Sequence, residues 1–354
     1  MLKEKYYTEV TEVDKLIFEK LVPAEHYLRK VKEVIDFERL REKVVDCYSP
    51  DMGRGAEDPV LLIKLEYLQF HYSLSDREVI QQAQVNVAYR YFLDLSLESK
   101  LPVASLLAQF RARLGQQRHL QLFEEVVRQA RERGLVKDKL RLKDATHIIA
   151  NIAVPSTISL VAQTRDRLLN AIKPYAGRFV REQEQKREQI RLQTEDLKDE
   201  ERLLQRVVHL QQIVDSAQQL QKRLGTPRRT DKARQKFDQA LELAHKVLAD
   251  RDEKRKEKSD RTLSVVDQDA RRNKHGSYYD GYLLDISMDA DSEIITALDV
   301  LPSNGDEAAN AIELIQSEES AQGNDIEEMS IDSIGFRGDV IKGLRDKFSL
   351  FTAS

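Results

Sequence analysis

Arg141-Leu142-Lys143-Asp144-Ala145-Thr146-His147-Ile148 alternates in polarity, and the period of two predicts a strand over residues 139–148. Leu140, Leu142 and Ile148 are expected on one face and Arg141 and Lys143 on the other, with Asp144 ending the alternating run. Far downstream, Met329-Ser330-Ile331-Asp332-Ser333-Ile334-Gly335-Phe336 reads as a second short strand that ends on Asp332. Between them, Tyr278, Tyr282, Leu284 and Ile286 lead into Asp289-Ala290-Asp291-Ser292, and Ile294, Thr296, Leu298 and Val300 lead out. That is a hairpin with a polar tip. Pro302-Ser303-Asn304-Gly305-Asp306 then opens a helix holding Ala309, Ile312 and Ile315. The pattern predicts that segments 139–148, 277–288, 293–301 and 328–332 share one mixed sheet, with a helix over 306–320 packed on it.

Residues 10–138 read as helical. Asp58-Pro59 is a helix start, a capping side chain followed by a proline whose missing N–H costs little there. Leu61, Leu65, Leu68 and Tyr72 follow at helical spacing. Ser75-Asp76-Arg77-Glu78 is a capping box, with Val79, Ile80, Ala83 and Val87 on one face of its helix. Pro102 precedes a third helix with Leu106, Leu107, Phe110 and Leu114 inward; a fourth carries Leu120, Phe123, Val127 and Ala130 and stops at Gly134. Short helices followed by basic ones suit a helix-turn-helix reader and suit any small bundle equally well; no recognition helix stands out.

From Ser159 to Asp260 the texture changes to Gln, Glu, Arg, Lys and Leu, with a loose apolar seam through Leu197, Leu204, Val208 (or Val207), Val214 and Leu220. Gly225-Thr226-Pro227 breaks it, and Phe237, Leu241, Ala244 and Leu248 begin again. This predicts one long helical hairpin or coiled coil. Its end, Arg251 to Lys258, is mixed in sign and reads as a solvated face. Asp267, Asp269 and Arg271 read as an ion pair stiffening the start of the next strand.

Net charge is −4 over 354 residues, but the mean hides a division. Residues 280–332 hold 15 acidic side chains and no Lys or Arg, whereas residues 1–279 hold 53 basic and 44 acidic. Residues 100–143 alone run 11 basic to 4 acidic. Such a front half either attracts a polyanion such as DNA or is a solvated arginine-rich face. On the first reading the DNA contacts are Arg111, Arg113, Arg118, Arg128, Arg131 and Arg133. No stretch approaches the ~18 apolar residues of a membrane-spanning helix. The single Cys47 forms no internal disulfide and reads as a small packed hydrophobe, so a cytoplasmic setting is expected.

Two strand-borne aspartates on one sheet are what a two-metal phosphodiester enzyme needs, because paired divalent ions must be clamped to activate the attacking group and stabilise the leaving oxygen. A third acidic ligand is also wanted, and no Glu follows Asp332. Each aspartate has a plainer reading as a turn or cap residue. His147 reads as structural, and the tyrosines 278, 279 and 282 as packing rather than a base-stacking platform.

The chain resembles bacterial insertion-sequence transposases of the DDE superfamily, those with an InsH-type N-terminal helical region. The residues that carry this are Tyr48-Ser49-Pro50, Gly53 to Pro59, the Ser75-Asp76-Arg77-Glu78 helix and Phe110-Arg111-Ala112-Arg113-Leu114. In the core they are Asp144-Ala145-Thr146 with Ala150-Asn151, Asp267 to Arg271, Tyr279-Asp280-Gly281-Tyr282 and Asp332 to Phe336. The resemblance implies a ribonuclease-H-like core with Asp144 and Asp332 as first and second catalytic, metal-binding carboxylates. It also implies magnesium, with manganese as a substitute, the terminal repeats of an element as DNA partner, and a homo-oligomer. Leu283-Leu284-Asp285 departs from the family, which often has a basic residue and histidine there.

The expected fold class is α+β, mostly α: a helical DNA-binding region over 1–138, the first core strand in 139–158, a helical coiled-coil-like insertion over 159–260, and the rest of an incomplete core over 261–354. The family's Glu lies well beyond the second Asp, so a truncated, inactive chain is expected, with the strand near Asp332 lacking an outer neighbour. The alternative is a non-catalytic DNA-binding and oligomerising remnant that occupies element ends. A purely structural coiled-coil protein explains the middle of the chain and not its flanks.

Overall fold

The computed structural model describes residues 2, 10–49, 52–53, 55–226, 231–251, 260–332, 337–347 and 350–353. The fold is α+β and mostly helical, with one mixed sheet.

Among the described residues seven α-helices come first: α1 (Glu12–Leu21), α2 (Tyr27–Val34), α3 (Phe37–Glu42), α4 (Pro59–His71), α5 (Asp76–Val85), α6 (Val87–Phe92) and α7 (Ser105–Glu132). Asp58 caps α4 by accepting from the Val60 amide at 3.0 Å, and Ser75 and Glu78 close the predicted capping box on α5. α4 is central, buried almost all round, and Leu62, Leu65 and Leu68 meet Val79, Phe92, Leu107 and Phe110 in one core. Cys47 packs half-buried against that core. The third and fourth predicted helices form the single span α7, interrupted at Gly115 (φ 63°, ψ −176°), a backbone conformation reserved for glycine. The first arm of α7 packs on the bundle and the second reaches the sheet layer, where Arg128 donates to the Ala321 carbonyl (2.8 Å) and Gln322 to that of Glu124 (2.9 Å).

β1 (Leu140–Ile149) is the central strand. The chain then makes α8 (Thr157–Ile172), α9 (Gly177–Gln193), α10 (Asp199–Leu224) and α11 (Lys232–Ala249), followed by β2 (Arg271–His275), β3 (Ser277–Asp289) and β4 (Ile295–Pro302). Last come α12 (Glu307–Gln322), β5 (Glu328–Ile331), α13 (Gly338–Lys347) and β6 (Leu350–Ala353). The strand order is β2-β3-β1-β5-β6, with β4 beside the second half of β3. β1 runs antiparallel to β3 and parallel to β5, and β5 parallel to β6. The four predicted segments thus share one mixed sheet, with α12 packed on it.

Four expectations need correction. The insertion is not a single hairpin but four helices around one core, with Leu168, Ile213, Val214 and Phe237 buried together. Pro174 has no N–H to continue α8, and a second break follows at Thr194–Lys198. Leu204 and Val208 of the predicted seam face solvent, while the alternative Val207 packs on the core beside Leu210, Ile213, Val214 and Ala217. The strand before Asp332 does have an outer neighbour, because α13 crosses over and β6 pairs with β5. Finally, β1 is turned over. Arg141 and Lys143 are buried, Leu140 and Leu142 are half-buried, and Ile148 is exposed. The physical reason is that α12, β3 and the β3–β4 turn bring carboxylates to meet the two cations.

Candidate functional site

Arg141 pairs in register with Met329, Leu142 with Ser330 and Lys143 with Ile331. Asp144 and Asp332 are the next residues on their two chains. Adjacent strands lie about 4.8 Å apart, so the two aspartates emerge side by side where the parallel pairing ends. β1 itself continues to Ile149, so Asp144 stands within its strand, opposite Ile286 of β3, and not at its end. Both aspartates are exposed, and one Asp144 carboxylate oxygen accepts from the Ala145 amide at 2.8 Å. Gly335, expected to loosen the loop after Asp332, lies outside the described residues.

A third carboxylate lies within electrostatic reach of the pair. Burial raises the pKa of Glu307, the first residue of α12, Lys143 opposes the rise, and Asp332, Asp285 and Asp144 add to it. In sequence Glu307 looks like an acid complementing a helix N-terminus, so nothing there marked it. On the α12 side of the sheet, fully buried Asp285 faces Lys143 Nζ at 2.8 Å and accepts from Asn310 at 2.9 Å. Burial pushes the Asp285 carboxyl up, against the pull of Lys143 and Asn310.

Magnesium can be tested against this donor set. Exposed carboxylate oxygens are the hard donors it takes, and it keeps water where protein supplies few ligands. The chemistry of Asp144 and Asp332 therefore fits one ion. Among the described residues no three His, Cys, Asp or Glu side chains group to hold a metal.

The predicted DNA-contacting arginines are largely engaged within the protein. Arg111 grips Asp76 (2.7 Å) and Gln69 (3.2 Å), and Arg113 lies over the Tyr48 ring at 4.5 Å. Arg118 pairs with Asp46, Arg128 with Glu125 (2.7 Å), Arg131 with Asp138, and Arg133 donates to the Gln129 carbonyl at 3.1 Å. The charge division has a structural use as well. Lys137 pairs with Asp291 (2.8 Å), Arg141 with Asp289 (3.1 Å) and Glu318 (2.7 Å), and Lys143 with Asp285. Part of the basic excess before residue 144 is thus answered by the acidic stretch after 280.

Smaller expectations sort similarly. His147 packs edge-on against Tyr279, with ring centres 4.6 Å apart. Tyr282 donates to Asp267, and Tyr278 lies exposed at the edge of the sheet. Arg271 pairs with Asp260 at 2.9 Å rather than with Asp267 or Asp269; Asp267 instead accepts from the Asp269 and Ala270 amides. A carboxylate that caps its own turn is not available to the guanidinium. Among the described residues no helix is long and apolar enough to cross a membrane.

Residues 16–113 match the family described as a transposase domain (DUF772), which supports a transposase family and a transposase function for the chain. No solved structure matches it.

Proposed function

We propose that the chain is a transposase of the DDE superfamily, with an InsH-type N-terminal region that binds the terminal repeats of an element and a ribonuclease-H-like core that cleaves and transfers strands. The observation that supports this best is the side-by-side placement of Asp144 and Asp332 where the β1–β5 pairing ends. In this reading the two aspartates hold magnesium, or manganese in its place. A bound ion supplies Lewis acidity and lowers the pKa of coordinated water. The antiparallel β1–β3–β4 meander flanked by parallel β5 and β6 supports the core assignment.

A second reading is favoured by one observation, the lack of a third grouped donor among the described residues. Here the chain binds element ends and self-associates in the cytoplasm without cutting. Manganese binding followed by electron paramagnetic resonance, beside nicking of a supercoiled plasmid that carries the ends, separates the two. Nicking that needs metal and disappears in Asp144→Asn supports the first. Manganese binding lost in Asp144→Asn and Asp332→Asn, with no nicking by the parent, supports the second. No binding of duplex DNA by the full chain defeats both.

A further inference from the structure

We propose that α5 is the base-reading helix of this chain, entering the major groove of duplex DNA with Arg77, Gln81, Gln84 and Val85. The inference rests on the DNA-binding reading above and assigns it to a surface other than the arginines of α7.

α4 and α5 are joined by four residues, Tyr72–Ser75, and Ser73 takes a left-handed conformation (φ 53°) that reverses the chain. Two helices joined by a turn of that length are the frame of helix-turn-helix readers, in which the second helix presents its outer face to base edges. α5 is held firmly for such a task. Val79, Ile80 and Ala83 are buried against the bundle, and Asp76 is clamped by Arg111 (2.7 Å) and Gln69 (2.7 Å).

The opposite face is unusual in being unspent. Arg77, Gln81, Gln82 and Gln84 are exposed, and none of their side chains makes a hydrogen bond or ion pair with another described residue. Val85 is 79% exposed in their midst. Glu78, the one acid on that face, is turned back onto the Ser75 amide at 2.8 Å. The arginines of α7 are by contrast mostly committed to partners inside the fold.

These side-chain types match the major-groove code. A guanidinium suits the O6 and N7 acceptors of guanine, a glutamine amide the N6 and N7 of adenine, and an apolar tip the thymine methyl. A ten-residue helix is about 15 Å long, and the groove that admits it is about 12 Å wide. Arg77 is the only cation on α5, so the face discriminates between sequences more than it attracts phosphate.

The test is selection by the full chain from duplexes with a randomised core, with affinity for a random-sequence duplex measured alongside. The parent should select a motif. Gln81→Ala and Gln84→Ala should each relax the preference at one position by about tenfold or more, with random-duplex affinity unchanged within about twofold. Arg77→Ala should relax a guanine position. All three positions are exposed, so thermal melting should not change. Variants that select the parent's motif unaltered, or a parent that binds duplex without selecting any motif, overturn the assignment to α5 and leave DNA binding standing. A parent that binds no duplex at all removes the DNA-binding reading and this inference together.

Discussion

Glu318→Ala should loosen the joint between α12 and the sheet more than any surface change. Glu318 accepts from Arg141 Nε (3.0 Å) and Nη2 (2.7 Å) and from Thr296 Oγ1 (2.6 Å), and Arg131 Nη2 lies 3.6 Å away. Arg141 is 0% exposed. Removing the carboxylate leaves that guanidinium with Asp289 and the Lys137 carbonyl at Nη1 and the more distant Asp138 at 3.5 Å, while Nε loses its acceptor. Hydrogen bonds to charged groups contribute about 1.5–3 kcal/mol each, and breaking a buried pair from one side costs about 3–5 kcal/mol. Amide exchange across β1, β3 and β5 should therefore quicken by between a hundredfold and a few thousandfold. The double variant Arg141→Met, Glu318→Leu should recover part of the loss, because it removes the under-bonded guanidinium, while Asp289 keeps its bonds from Ser292 and the Lys137 amide. A loss below about 1 kcal/mol in Glu318→Ala, or a double variant no better than the single, would refute the account.

His209 carries a pH dependence. It is 2% exposed, and burial first, then Arg165 and Lys186, holds its imidazole down to about 4. An unfolded histidine takes its proton near 6.5, so the α8–α11 bundle should lose up to roughly 3 kcal/mol as pH falls from about 6.5 to 4, with no effect from this group above that window. Urea titrations across it should show a flatter profile for His209→Leu; parallel profiles would reject the assignment. At Gly281 an added Cβ would stand 2.0 Å from the Ile148 carbonyl oxygen and 2.8 Å from the Ala150 amide. Gly281→Ala should cost about 1–3 kcal/mol and speed exchange of the Ala150 amide, which now donates to the Asp280 backbone carbonyl at 2.9 Å. Unchanged exchange there would show that the strands separate freely.

What could be read from sequence was what repeats locally. Capping at Asp58 and Ser75, the turn at Asp289–Ser292 and the alternation of four strands are each set by near neighbours, and each appears in the fold. The face of β1 was not readable, because alternation gives a period and no direction. Arg141 points inward only since Glu318 and Asp289, more than a hundred residues away, surround it. The same distance hid the fate of part of the basic segment: Lys137, Arg141 and Lys143 find their partners in the acidic one. Of the candidate site, Asp144 and Asp332 were visible as strand-borne acids, while Glu307 was disguised as an ordinary helix-start residue.

β1 also sets the order in which the molecule can be made. Its partners on β3 lie 132 to 148 residues later in the chain and those on β5 later still. At ~5–20 residues per second of synthesis, the nascent strand waits on the order of ten seconds before its first neighbour exists. Ile148 and Ile149, exposed even in the finished sheet, sit at the end of that waiting edge. The intervening α8–α11 bundle has local contacts and can fold during the delay. It thereby shortens the flexible loop that must close, and the entropy charged for closing it, when β3 arrives.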